Sequence, residues 1–189
     1  MIPPNLEFIV DDITSPWVFD HKFSYIHSRA ITVGIRDWAA LVEECWKNLE
    51  PGGWVEFQEY HAPWLSDDES INEQNCPAFK VWNESLVEAA GKAGTRLDAI
   101  LGVPEHLEKR GFVGLGRADT KWPLGAWSKG KREKKIGDLF VKDLTSALEG
   151  VSMRMFTKVL GWEREDVMKL IEEAAEDIRN VRMHAYMPM

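Results

Sequence analysis

Between Asn5 and Tyr60 the chain alternates short apolar runs with one amphipathic stretch, and this order constrains its fold more than any other feature. The runs are NLEFIVDD, FSYIHSRA, DWAALVEECWKNLEPGG and WVEFQEY. Residues Asn5–Val10 alternate and read as a strand that Asp11 and Asp12 end. Phe23–His27 gives a second, shorter strand. Asp37 suits a helix N-cap. Trp38, Leu41, Val42, Cys45, Trp46 and Leu49 then recur at helical spacing, with Glu43, Glu44 and Lys47 on the other face. Pro51-Gly52-Gly53 stops that helix, and Trp54–Tyr60 alternates as a third strand.

After Tyr60 the pattern becomes mostly helical. A polar loop leads to a helix over 78–93. Pro104 opens a short helix that Gly111 closes. A strand is predicted over 112–119, and a loop over 122–129 carries Trp122 and Trp127. Helices follow over 136–148 and 152–160, with a kink near Gly150, and over 165–180. Residues 182–187 form a last strand. Strands alternating with helices imply an α/β chain with a mainly parallel sheet and a C-terminal helical insertion. The 189 residues suit a single domain.

Composition removes several classes. With 44% hydrophobic residues the chain can build a core. A net charge of −8 argues against nucleic acid as a partner. The basic run Lys129–Lys135 reads as a solvated loop and helix start. No apolar run has the length of a membrane span, and no secretion signal opens the chain. Cys45 and Cys76 are isolated, without metal-ligand spacing, so no metal site is expected. A reducing compartment follows, with the cytoplasm expected; nothing here separates cytosol from nucleus. Most of the nine tryptophans should serve packing.

The segments LEPGGWVEFQEY and WEREDVMKLIEEAAEDIRNVRMHAYMP, in this order along the chain, resemble class I S-adenosylmethionine (SAM) methyltransferases, specifically the fungal LaeA-like group of secondary metabolism. The resemblance implies a Rossmann-like methyltransferase sheet, with residues 1–60 its cofactor-half remnant and 61–189 its substrate side. In the family a Gly-rich turn after a first strand holds the cofactor's amino-acid end. No such run follows a strand here, since Gly111, Gly114 and Gly116 fall in the wrong context. The expectation is an N-terminally truncated sheet whose open edge invites a homodimer or a heteromer.

The resemblance assigns Asp11 and Asp12 to the adenine end of SAM, if SAM is bound. His27 and Arg29 sit at the end of a parallel strand, where ligands bind in open α/β sheets. Glu59, Tyr60 and His61 lie at the same edge. His27, Glu59 and His61 are the candidate catalytic groups. Arg29, Tyr60, Trp122, Trp127, Met153, Phe156 and His184 are the candidate substrate contacts. Three functions compete. The first is a SAM-independent cyclase or isomerase, of Diels–Alder type for example, that uses no cofactor and holds a small apolar natural product. The second is a SAM-dependent small-molecule methyltransferase completed by a further segment or partner. The third is a non-catalytic partner subunit, regulatory in the LaeA manner. The missing Gly turn counts against the second reading, and the retained helical insertion with its tryptophans favours the first.

Overall fold

A computed structural model describes residues 3–189 of the chain. Its first unit is β1 (Phe23–Arg29), α1 (Trp38–Asn48) and β2 (Leu49–Gln58). The two strands pair in parallel, Tyr25 opposite Trp54 and Arg29 opposite Gln58. Asp37 caps α1 by accepting the backbone N–H of Ala40 at 2.9 Å. The buried face of α1 (Trp38, Leu41, Val42, Cys45) packs with Ile26, Val55 and Phe57 of the sheet. The short helix α3 (Val103–Arg110) joins the same core through Val103 and Leu107. Gly111 ends α3 at φ 110°, and an added Cβ would meet the Trp46 ring at 3.3 Å. This part of the fold is therefore a β–α–β half-unit with helices on one face of its sheet.

The Pro-Gly-Gly turn does more than stop α1. The helix ends at Asn48, and β2 runs straight through Pro51-Gly52-Gly53. Phe23 pairs with Leu49 but Tyr25 pairs with Trp54, so the extra residues of β2 loop out as a bulge. At Gly53 an added Cβ would lie 3.0 Å from the Glu50 carbonyl and 3.1 Å from that of Ser24. Only glycine lets the two backbones approach this closely.

The second core is helical. It is built from α2 (Pro77–Lys92), α4 (Lys131–Arg154), a π-turn (Met155–Leu160) and α5 (Arg164–Asp177). Two short antiparallel strands, β3 (Lys121–Pro123) and β4 (Tyr186–Pro188), complete it. Phe79, Trp82, Leu124, Leu148, Phe156, Val167, Ile178 and Met183 fill the interior. The Trp82 indole N–H donates to the Ser152 hydroxyl at 2.7 Å, which donates in turn to the Leu148 carbonyl at 2.5 Å. Asp177 of α5 accepts the first N–H groups of α2, from Ala78 and Phe79, at 2.8 and 3.0 Å. It caps a helix whose own N-cap residue, Cys76, accepts no bond through its side chain from the first-turn N–H groups.

Five expectations are corrected. Asn5–Val10 forms no strand. Phe8, Ile9 and Val10 are exposed at 74, 59 and 104%, and no neighbouring strand among the described residues accepts their ladder bonds. Residues 112–119 are irregular; the strand comes later, at Lys121–Pro123, where β4 offers a partner. The helix passes through Gly150 without interruption, and its irregularity is the π-turn beginning at Met155. The last strand is shorter and later than residues 182–187, and it pairs antiparallel with β3 in a second sheet. The mainly parallel sheet is in fact one parallel and one antiparallel pair.

Two outcomes follow from this packing. Phe156→Ala should lower stability in urea titration by about 3–5 kcal/mol, the cost of emptying a fully packed aromatic site. Burial pushes the Cys45 thiol up to about 12, and Cys76 is equally inaccessible. Neither thiol should react with a disulfide reagent at mildly alkaline pH in the folded protein, and both should react in denaturant. Because the folded-state value of Cys45 is raised, stability is unaffected below the ordinary thiol range and falls as pH climbs from there toward 12.

Candidate functional site

The chain entering β1 makes a tight acidic turn. Asp12 accepts the backbone N–H of Thr14 at 2.9 Å and its hydroxyl at 2.7 Å. These bonds, the hydroxyl first, hold the Asp12 carboxyl below its ordinary range. Asp11 accepts the backbone N–H of Asp12 at 2.8 Å. Trp17 is pinned at both ends. Its indole N–H donates to the Ile13 carbonyl and its backbone N–H to Glu44 of α1, each at 3.0 Å. Phe19 meets Trp17 and Phe23 edge to face, at 6.0 and 4.9 Å. Together Asp11, Asp12, Trp17, Phe19, Phe23 and Tyr25 line a hollow of about 220 Å³. The aromatic members were legible only as the alternation of Trp17, Phe19, His21 and Phe23 in WVFDHKF, which reads equally as an exposed strand.

At the far end of the strands the site is built by Glu59. Its carboxylate is 4% exposed. It accepts the backbone N–H of Ile31 at 2.9 Å, that of Thr32 at 3.1 Å and the Thr32 hydroxyl at 2.8 Å. Between β1 and this clamp, Ala30 adopts φ 57° and donates its N–H to the Gln58 carbonyl at 3.1 Å. Left-handed backbone at a residue with a Cβ is strained, and the clamp supplies the bonds that hold it. Glu59 thus spends its acceptor capacity on the backbone of the β1 turn.

The other candidates of this edge scatter. Tyr25, His27 and Arg29 occupy the exposed face of β1, opposite the face that packs on α1. His27 stacks on Tyr25 with ring centroids 6.2 Å apart, and the Tyr25 hydroxyl donates to Glu56. Tyr60 is half-buried against the helical core, and burial pushes its phenol up. His61 donates its backbone N–H to the Pro188 carbonyl at 3.1 Å. His27, Glu59 and His61 do not line the aromatic hollow.

The substrate candidates divide. Phe156 is fully buried, and Met153 and Trp122 pack against the same core, Trp122 meeting Phe140 edge to face at 6.0 Å. Phe156 and Trp122 thus serve the interior, as helical spacing of aromatic residues would equally give, whereas Met153 also lines an open hollow of about 1010 Å³ with Glu149, Arg154, Lys158 and Trp162. Trp127 and His184 do meet, with ring centroids 5.3 Å apart. Asp68, in a polar loop with no motif to mark it, lies 2.6 Å from the His184 ring. Among the described residues no group of three His, Cys, Asp or Glu is arranged to hold a metal, and no helix is long and apolar enough to cross a membrane.

The β–α–β half-unit, with helices beside small sheets, is consistent with the truncated Rossmann-like sheet that the sequence resemblance implies. The chain is 31% identical over 183 residues to the methyltransferase pytC of Aspergillus terreus, across 97% of this chain and 56% of that protein. It is 29% identical over 190 residues to the probable methyltransferase tdiE of Emericella nidulans, across 100% and 59%. It is 26% identical over 189 residues to the secondary metabolism regulator LAE1 of Cochliobolus heterostrophus, across 98% and 61%. No family model matches the chain. By sequence, the chain is similar to fungal methyltransferases and to LaeA-type regulators of secondary metabolism. It spans a little over half the length of the curated relatives it matches.

The described residues fit one end of SAM. A hollow of about 220 Å³ is below the few hundred Å³ that a whole drug-sized ligand needs. Its aromatic walls and acidic rim suit a flat heterocycle with an exocyclic amine. For the amino-acid end, Gly111, Gly114 and Gly116 offer nothing: they follow α3 in an irregular segment, not a strand.

The Glu59 clamp has a measurable weight. Glu59→Ala strands two backbone N–H groups and a hydroxyl and should cost about 2–4 kcal/mol in chemical denaturation. Glu59→Gln, which keeps one acceptor oxygen, should cost clearly less.

Proposed function

We propose that this chain carries the adenine-facing and acceptor-facing parts of a SAM-dependent methyltransferase of fungal secondary metabolism that acts on a small natural product. One observation carries the reading: the aromatic hollow is lined on one side by the two carboxylates that the family resemblance assigns to adenine. SAM, when bound, supplies a methyl group activated on a sulfonium. Trp17, Phe19 and Phe23 would flank the purine. Asp12, with one oxygen engaged by Thr14, keeps its other oxygen for the exocyclic amine. The Glu59 clamp would fix the β1 turn beside the acceptor.

The SAM-independent cyclase or isomerase has less support. It requires an apolar chamber; Phe156 fills the helical core and Trp122 packs against it, and the hollow that Met153 lines is walled mostly by polar and charged residues such as Glu149, Arg154, Lys158 and Arg164. Partners belong to the same proposal: a small, largely apolar acceptor, and a homodimer or heteromer formed through the outer edges of β1 and β2. Two buried, unpaired cysteines suit a reducing compartment, and the proposal places the protein in the cytoplasm or nucleus.

Calorimetric titration with adenosine and S-adenosylhomocysteine tests the reading. Adenosine should bind, and Asp12→Asn should weaken it about five- to tenfold, as loss of a charged hydrogen-bond acceptor does. Because the Asp12 carboxyl is held low, affinity should stay level from neutral pH through the ordinary carboxylate range and fall only below it. An Asp12→Asn variant that binds adenosine as well as the parent would remove the adenine assignment.

A further inference from the structure

At the start of β4, three segments distant in sequence bring an imidazole, a carboxylate and an indole together. His184 Nδ1 lies 2.6 Å from Asp68 Oδ2. An ionised carboxylate only accepts, so Nδ1 carries the proton. In the neutral ring the lone pair is then on Nε2, and the side chain is 42% exposed. Every member is held by a further bond. The backbone N–H of His184 donates to the Ser70 hydroxyl at 2.8 Å. The backbone N–H of Ser70 donates to Asp68 at 3.2 Å. The Trp127 indole N–H donates to the Ala185 carbonyl at 3.0 Å, fixing the ring over the imidazole at 5.3 Å and 35°.

The neighbouring charges are already matched. Asp67 accepts the Tyr186 hydroxyl at 2.8 Å and the Lys121 ammonium at 2.5 Å, and that ammonium sits 4.5 Å from the centre of the Tyr186 ring. Asp68 is thus the carboxylate committed to the imidazole, and the bond from His184 holds its carboxyl below the ordinary range. The segment 61–65, which leaves the end of β2, runs antiparallel to β4. This pairing brings the loop that carries Asp68 to the segment that leads into β4.

We propose that Asp68, His184 and Trp127 form an acceptor subsite, in which the indole stacks a planar, weakly acidic hydroxyl-bearing ring and His184 takes its proton. The subsite rests on the methyltransferase reading for its reaction, though not for its ligand chemistry. The acceptor O–H bond breaks with its electrons left on oxygen, and the proton forms a bond to Nε2. Asp68 offsets the imidazolium charge. A sulfonium donor, when bound, would supply the methyl group to that oxygen, its C–S electron pair returning to sulfur as a thioether. His184 is the residue in contact with the acceptor; Asp68 positions it.

The probe is 4-nitrophenol, whose yellow phenolate band reports proton loss without SAM or turnover. Added to the full chain at a pH where the free phenol is mostly protonated, it should bind and turn yellow. Trp127→Ala should weaken binding about tenfold or more. His184→Gln should retain binding and lose the colour, and Asp68→Asn should retain binding with less colour. Circular dichroism identifies any variant that fails to fold, and His184→Asn then replaces His184→Gln. Absence of binding to the folded parent chain, or colour that survives His184→Gln, overturns the subsite. Adenosine binding is measured separately, so failure here leaves the adenine assignment standing, and failure there leaves the phenol result standing.

Discussion

A single buried carboxylate ties the ends of the two parallel strands together. Glu59 leaves β2 and takes up the backbone of the turn that leaves β1. A two-stranded parallel sheet is a weak object, since parallel strands need a crossover and cover on their faces. Here α1 and α3 cover one face, and the clamp fixes the crossover's entry. The left-handed Ala30, the start of α1 and the ligand-side edge all depend on that anchor. An acidic side chain at a strand end is read first as chemistry; here its chemistry is to hold backbone.

The β–α–β unit was legible because each of its parts follows a local rule. The apolar stripe of α1, the Asp37 cap and the alternation of β1 and β2 all appear as expected. What failed involved partners. Asn5–Val10 has the pattern of a strand, but a strand exists only with a neighbour, and no sequence pattern states whether one is present. Residues 112–119 and 121–123 are similar in character; the choice between them was made by β4, some sixty residues on. Site residues fared the same way. Trp127 and His184 were legible as aromatic and titratable groups, yet their meeting depends on the loop that carries Asp68. Glu59 was visible as a candidate base, and only the position of Ile31 and Thr32 shows where its oxygens point.

The two cores divide the work of the fold. The sheet unit presents the acidic turn and aromatic hollow on an exposed, locally held segment. The helical unit is tightly filled, and its tryptophans serve that filling more than any pocket. Aromatic abundance alone therefore says little about ligands in this chain. Beside Asp12 and beside His184, accessible aromatic rings stand within reach of a carboxylate.

The cap that Asp177 places on α2 has a consequence for how the chain is made. The first turn of α2 takes its acceptor from a residue about a hundred positions later. During synthesis, α2 emerges with those N–H groups unpaired and its apolar face uncovered. It must wait for α4 and α5 before either is satisfied. Contacts of such long sequence separation are slow to form, so this helix depends on protection until α5 has been made.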